Sequence, residues 1–224
     1  MPSYYPIYLD VRGRRCLVYG GNHEGERKVK YLLECGADVT FISADATSEL
    51  RAMASDGRIR WEQRGYRPGD LEGAWLAIVA DTRDQEANEA ISGEARERNV
   101  LLNVADVTHL CTFIAPSIVQ RNDVTVAVST AGTSPALARR LRDEMSSQDC
   151  HCLRWAEFGP VLADVRKEVR SRNLRVTPDQ WQECMTDDLI DLHRAGRTAE
   201  ARAKLLAALE AKAHLATSQA PQTS

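Results

Sequence analysis

At 224 residues, with 43% hydrophobic and 27% charged content, the chain can bury a sizeable core and fits one large domain or two small ones. A formal net charge of −3 excludes a global basic field, so general affinity for nucleic acid or an anionic membrane is not expected, and any anion site must be local. No apolar run approaches the ~20 residues that span a bilayer, and the start MPSYYPIYLDVRGRR lacks the apolar core of a signal peptide, which points to the cytoplasm.

Residues 14–20, RRCLVYG, are short, mostly apolar and rich in β-favouring side chains, and they predict a first strand. In GERKVKYLLECG, Val29, Leu32 and Leu33 recur at helical spacing and Gly36 supplies a C-terminal cap. ADVTFIS follows at once as a second strand. Strand, glycine turn, helix and strand within so few residues make a βαβ unit, whose crossover requires a parallel sheet covered by helices.

The alternation continues through IRWEQRGY as a third strand, AWLAIVA as a strand buried on both faces, the polar helix DQEANEAISGEARERN and the strand VLLNV. The predicted class is therefore α/β with a Rossmann-like parallel sheet over 1–112. After Asp106 the texture changes. TFIAPSIVQRNDVTVAVS reads as two strands turning at Arg121, Asn122 and Asp123, and TSPALARRLRDEM as a helix with Ser134 as N-cap and Pro135 at its first position. This gives a small α+β module over 113–149. From Leu153 onward the pattern is all-helical. Trp155, Phe158, Val161, Leu162, Val165 and Val169 form an apolar stripe, TPDQ at 177–180 is a capping box, and Leu205, Leu206 and Leu209 mark a last helix. A helical domain over 150–215 and a disordered tail over 216–224 complete the expected organisation.

The six cysteines, Cys16, Cys35, Cys111, Cys150, Cys152 and Cys184, are scattered, which is the usage of reduced thiols. Cys150, His151 and Cys152 are clustered, but a structural zinc site pairs two such clusters and no second one exists, so no metal site is expected.

The stretch LVYGGNHEGERK nearly spells G-x-G-x-x-G between a strand and a helix. In that turn the first glycine makes the bend, the second lets a pyrophosphate approach the backbone, and the third lets helix and strand pack closely. Gly20 and Gly25 take the first and third places and Asn22 the second. Asparagine tolerates left-handed backbone angles, so the bend survives and the loss is in clearance. The candidate cofactor-binding set is Gly20, Gly21, Asn22, His23, Glu24, Gly25 and Ser43. Glu24 and Glu26 compete with an anion at the helix N-terminus, and Arg27 and Lys28 offset them. Ser43 occupies the tip of the second strand with Asp45 just beyond, and no arginine stands there to hold a 2′-phosphate, so NAD is favoured over NADP. On residues alone, a plain strand-to-helix turn remains the alternative.

The opening YPIYLDVRGRRCLVYGG, RK at 27–28, NVADVTHLCTFIAPSIV at 103–119 and VAVSTAGTSPALARRLR at 126–142 together resemble the precorrin-2 dehydrogenase family, the Rossmann part of siroheme synthases. The resemblance covers about residues 4–145. It implies NAD-dependent oxidation of precorrin-2 to sirohydrochlorin, a homodimer paired through the hairpin and following helix, and, in some members, iron insertion as a ferrochelatase. It makes Asp106 the key active-site residue and brings Ser129, Thr130, Ala131, Gly132, Thr133, Ser134 and Pro135 to the substrate. The chain departs from the family pattern at Asn22, Glu24, Gly25 and Ala131, mostly around the nucleotide phosphates.

A tetrapyrrole rich in carboxylates needs several cations around an apolar pocket. Arg121, Arg139, Arg140 and Arg142 lie in or beside the hairpin and helix, and the arginine fork binds carboxylates in bidentate fashion. A solvated helix face is the other reading of any one of them. Asp106 ends a predicted strand, where an α/β sheet places its ligands, and can take a proton as hydride leaves or accept pyrrole protons if metal enters. His109 is a second candidate base or transient metal contact. Two further readings stand beside the dehydrogenase: a chelatase that keeps the cleft with a relaxed cofactor turn, and a tetrapyrrole carrier or partner protein without turnover.

Overall fold

A computed structural model describes residues 4–147 and 150–218; the expected tail at 219–224 lies outside the described residues. The chain divides into two compact units, one of Met1–Ala115 with Ala131–Thr133 and one of Pro116–Thr130 with Ser134–Ser224. Hairpin, helix and helical region thus form one unit, where the sequence suggested two domains and a tail.

In the first unit β1 (Arg15–Tyr19) runs into α1 (His23–Glu34), and β2 (Asp38–Ile42) follows. The helix stops because Gly36 adopts φ +79°. Its N–H donates to Leu33 O at 2.9 Å while Ala37 N–H donates to Leu32 O at 3.0 Å, satisfying carbonyls that the helix end leaves open. Next comes α2 (Ser48–Ser55), an eight-residue helix that the periodicity did not announce. It starts on Thr47, whose Oγ1 accepts Leu50 N–H at 3.2 Å. β3 (Arg60–Glu62), β4 (Leu76–Val79), α3 (Gln85–Arg98) and β5 (Leu101–Val104) complete the unit. The stretch IRWEQRGY pairs over only three residues because β3 is an edge strand.

The sheet order is β3-β2-β1-β4-β5 with every pairing parallel, the open, doubly wound order of dinucleotide-binding α/β folds. Alternation along the strands splits the core. Cys16 and Val18 face Val29, Leu32, Leu50 and Met53 of α1 and α2, whereas Leu17 and Tyr19 face Ile91 and Ala95 of α3. The strand order turns between β1 and β4, so their carboxyl ends open a crevice there.

The second unit begins with the antiparallel pair β6 (Ser117–Arg121) and β7 (Val124–Val128). Arg121 pairs with Val124, leaving a two-residue turn at Asn122 and Asp123 with Asn122 at φ +51°. Then α4 (Pro135–Ser146) starts on Ser134, whose side chain accepts Leu137 N–H at 3.2 Å. After a 3-10 segment at His151–Phe158 come α5 (Gly159–Ser171), α6 (Pro178–Cys184), α7 (Asp187–Arg194) and α8 (Thr198–Ser218). Helix α8 carries residues 216–218 of the expected tail. Thr177 and Gln180 form the anticipated reciprocal capping box. Phe158, Val165, Leu189, Ile190, Leu205 and Leu209 are buried together, each worth about 1.5–3 kcal/mol of transfer from water for the larger side chains. Hydrogen bonds from Asn122 Nδ2 to Ala156 O (3.0 Å) and from Arg121 Nη2 to Ser147 O (2.7 Å) tie the hairpin to the rest of this unit, which is why it is not a separate domain.

Among the described residues, no helix is long and apolar enough to cross a membrane, and no group of three or more His, Cys, Asp or Glu side chains could hold a metal ion.

Candidate functional site

The crevice at the carboxyl ends of β1, β2 and β4 is a cavity of about 820 Å³. Of the expected cofactor-binding set, Gly20, Gly21, Asn22, His23 and Ser43 line it, and Glu24 and Gly25 do not. The glycines are there for close approach. A Cβ on Gly20 (φ +112°) would sit 2.7 Å from Asp81 Cβ, one on Gly21 would overlap Asp45 O, and one on Gly25 would overlap Gly20 O. Gly25 thus does what the third glycine of such a turn does, pressing α1 against β1.

Asn22 differs from expectation. Its backbone is extended, at φ −81° and ψ −179°, and not left-handed. It is the N-cap of α1: Oδ1 accepts Gly25 N–H at 2.9 Å, and Nδ2 donates to Ala80 O at 3.5 Å. Capping forbids the left-handed region, because an N-cap must enter the helix from extended backbone. Glu24 also departs from its expected role. It does not line the cavity; its carboxylate takes Arg27 at 2.6 and 3.0 Å and Lys28 at 3.4 Å. Burial pushes its pKa up, but the hydrogen bonds from Arg27 and the charge of Lys28 outweigh this and hold it below the usual range. The positive end of α1 is consequently less opposed than the sequence suggested.

Several cavity residues were not read from the sequence. Asp81, Arg83 and Asn88 come from the end of β4 and the start of α3, and Arg64 and Tyr66 from the segment after β3. Asp81 could have been found, since it ends a fully buried strand. The two arginines stand away from the tip of β2, and both are paired with carboxylates. Arg64 binds both oxygens of Asp70 at 2.8 Å, and Arg83 binds Asp81 at 2.6 and 2.8 Å. The Arg83 hydrogen bonds hold the Asp81 carboxyl below its ordinary pKa. Glu94, buried on α3, accepts Tyr66 OH at 2.8 Å and the N–H groups of Gly69 and Leu71, so the wall around Tyr66 is braced. Tyr19 meets Tyr66 edge-on at 6.0 Å, and its hydroxyl is buried without a hydrogen-bond partner among the described residues.

Asp106 stands just past β5, exposed, at φ +59°. Its loop is fixed on both sides. Ala105 N–H donates to Val79 O at 2.9 Å, Val104 N–H donates to Cys111 Sγ at 3.1 Å, and Leu102 N–H donates to Thr112 Oγ1 at 2.7 Å. Burial raises the Cys111 pKa, so the group stays a thiol, and Sγ lies 3.3 Å from Val104 O as its donor. His109 is exposed on the same loop, in a 3-10 turn, with its carbonyl accepting Arg96 at 3.3 Å.

The remaining expected substrate residues are divided between the units. Gly132 and Thr133 fall with the first; Ser129, Thr130, Ser134, Arg121 and Arg139 fall with the second. Thr130 and Ser134 are structural: Thr130 Oγ1 donates to Ser134 O at 3.0 Å and accepts Ser134 N–H at 3.1 Å, bracing a turn in which Ala131 and Gly132 take φ +52° and +85°. Arg121 caps the carboxyl end of α4, while Arg139 is exposed on α4. Arg140 and Arg142 pair with Glu144 and Asp143.

Comparison with known proteins follows the same two parts of the chain. A family model described as putative NAD(P)-binding matches residues 7–117, and one described as sirohaem biosynthesis protein central matches residues 121–148. The chain is 37% identical to a siroheme synthase of Methylococcus capsulatus over 94% of its own length and 44% of that protein. It is 46% identical to a siroheme synthase of Methylobacillus flagellatus over 75% of its length and 35% of that protein. It thus spans less than half of these curated relatives. Among solved structures, SirC, a precorrin-2 dehydrogenase, matches with a TM-score of 0.72 at 24% identity, over 90% of this chain and 98% of that one, which is a likeness of fold.

Proposed function

We propose that the chain, which matches the putative NAD(P)-binding and sirohaem biosynthesis central models and is similar to siroheme synthases, acts as a precorrin-2 dehydrogenase, oxidising precorrin-2 to sirohydrochlorin with NAD. The observation that carries this reading is the glycine-walled cavity at the ends of β1, β2 and β4, with an exposed carboxylate on the next strand-end loop. Gly20 and Gly21 keep the wall low, the first N–H groups of α1 face an anion, and Ser43 and Asp45 border the ribose end. Arg64 and Arg83 are both committed to carboxylates, which supports NAD over its 2′-phosphorylated form. When bound, NAD supplies the hydride acceptor.

Oxidation removes one hydride and one proton from the tetrapyrrole. Asp106 receives the proton, since it is exposed and held on a loop braced by β4 and β5. Arg139 and the exposed Ser129, Gly132 and Thr133 contact the substrate's carboxylates, Thr130 and Ser134 hold the turn that presents them, and Arg121 contributes positive charge while anchored to α4. The protein works in the cytoplasm as a homodimer joined through β6, β7 and α4. This pairing is supported by apolar surface that the chain itself leaves open: Ile118, Val124 and Val126 are half-buried and Leu137 is 50% exposed. No nucleic acid or membrane takes part.

The test is anaerobic mixing of purified protein, precorrin-2 and NAD. The expected result is growth of the sirohydrochlorin spectrum well above the spontaneous rate, and no growth over that rate would sink the reading. Iron insertion is a second activity that the same carboxylate supports, by taking pyrrole N–H protons; insertion that proceeds without NAD identifies it.

A further inference from the structure

The proposed reaction uses the carboxyl ends of the strands, and a second cavity opens at their amino ends. It has a volume of about 610 Å³ and lies where β1, β4 and β5 begin, with Arg14, Arg15, Arg98, Trp75, Leu71 and Val100 in its wall. Leu71 and Val100 are buried and Trp75 half-buried, so part of that wall is apolar. Gly13 and Gly73 complete it in left-handed turns, at φ +66° and +69°, which keeps the rim free of side chains there.

Three arginines in one wall repel one another unless an anion stands between them. The chain supplies little of that compensation. Among the described residues the Arg14 side chain forms no ion pair and no hydrogen bond; its guanidinium lies 5.5 Å from the centre of the Trp75 ring. Arg15 donates to the carbonyls of Glu72 and, at 3.3 Å, of Asp70, and it meets no carboxylate among those residues. Only Arg98 has a carboxylate, Glu94 at 2.8 Å. Acidic groups of the neighbourhood are engaged elsewhere. Arg12 binds Asp10 at 2.8 Å, Arg64 binds both oxygens of Asp70 at 2.8 Å, and Glu94 also accepts Tyr66 OH at 2.8 Å.

The backbone at this end of the sheet does not explain the cations as partners of a helix N-terminus. Helices α1 and α3 finish here, just before β2 and β5, and helix ends of that polarity present carbonyls, which repel an anion. An anion at the amino ends of the strands must therefore be held by side chains. Arginine suits the task, because its planar fork grips carboxylate or phosphate with two hydrogen bonds, and an aromatic face beside it steadies the guanidinium.

We propose that this cavity is an anion site, separate from the glycine-walled cavity, for a small molecule that carries two or more carboxylate or phosphate groups. Arg14 and Arg15 supply the charge that the chain leaves uncompensated, and Arg98 adds to it. The volume suits a ligand of small-metabolite size. The site rests on neither NAD binding nor the role of Asp106.

Titration of the full chain with citrate and, separately, with pyrophosphate at constant ionic strength tests this, with the indole N–H signals followed by 15N NMR. The Trp75 signal is identified by its loss in Trp75→Phe. Trp61 monitors the other cavity, because its Nε1 donates at 2.9 Å to the carbonyl of Ser43, which lines that cavity. The expected result is saturable movement of the Trp75 signal with a Kd below about 1 mM. In Arg14→Gln the affinity read at Trp75 should fall by roughly 10-fold or more, with any response of Trp61 unchanged. Saturation by citrate alone assigns the site to carboxylates, saturation by pyrophosphate alone assigns it to phosphates, and saturation by both makes polyvalent charge sufficient. The proposal is overturned if neither anion saturates the Trp75 signal, if Trp61 moves without Trp75, or if Arg14→Gln binds with native affinity. Should Arg14→Gln fold poorly, Arg14→Met serves in its place.

Discussion

Asn22 Oδ1 accepts the backbone N–H of Gly25 at 2.9 Å, closing the first turn of α1 where the dinucleotide turn ordinarily has a glycine and an open amide. The side chain stabilises the helix and takes one donor away from an anionic ligand. Asn22→Ala should destabilise the fold by about 1 kcal/mol, and Asn22→Gly by only a few tenths. By freeing the Gly25 N–H, Asn22→Gly should bind NAD roughly 2- to 10-fold more tightly, corresponding to about 0.5–1.5 kcal/mol for one hydrogen bond. Denaturant melts and calorimetric titration of NAD check the two effects separately.

Gly21 is fixed by the loop after β2, because a Cβ there would overlap Asp45 O while Thr47 N–H donates to Gly21 O at 3.0 Å. The loop cannot retreat without losing that bond. Gly21→Ala should cost about 1–3 kcal/mol in urea unfolding and weaken NAD binding at the same time. A variant as stable as the native chain would show that the loop gives way freely.

Asp106 is exposed and caps no helix, so its removal should be felt in chemistry and not in folding. Asp106→Asn should keep the native melting temperature within about one degree while kcat/KM falls by roughly 10²-fold or more. Unchanged turnover in Asp106→Asn would move the proton acceptor elsewhere, with His109 next to be tested.

Lys28 gives a pH dependence of defined sign. Its pKa in the folded chain lies below the 10.5 of a free lysine, so between those values the unfolded chain binds the extra proton and stability rises with pH. The penalty is fully present below that window and gone above it. Lys28→Met should therefore be more stable than the native protein near neutrality, with the advantage shrinking as pH climbs towards 10.5. Paired unfolding curves from pH 7 upward read this directly.

Ala131 holds φ +52° in a turn where glycine would sit without strain. Ala131→Gly should stabilise the chain by roughly 1 kcal/mol, the relief of left-handed strain exceeding the entropy lost by glycine. Thermal melts at fixed pH are sufficient to see it.

The sequence by itself determined the parallel sheet, the hairpin and most helix starts, because apolar periodicity and caps such as Ser134 and Thr177 act within a few residues. Short α2 escaped because eight residues carry too few repeats to announce a helix. The motifs around Asp106 and the glycine turn were equally legible, being local strings. What only the tertiary structure decided is who stands beside whom. Asn22 looked like a flaw in a bend and is a helix cap reaching Ala80 across the sheet. Glu24 looked like a rival to the phosphate and is bound to Arg27 and Lys28. Asp81 came to the cavity only because β4 lies beside β1. Such pairings join residues far apart in the chain, and their electrostatics depend on burial and distance, which the order of residues along the chain does not contain.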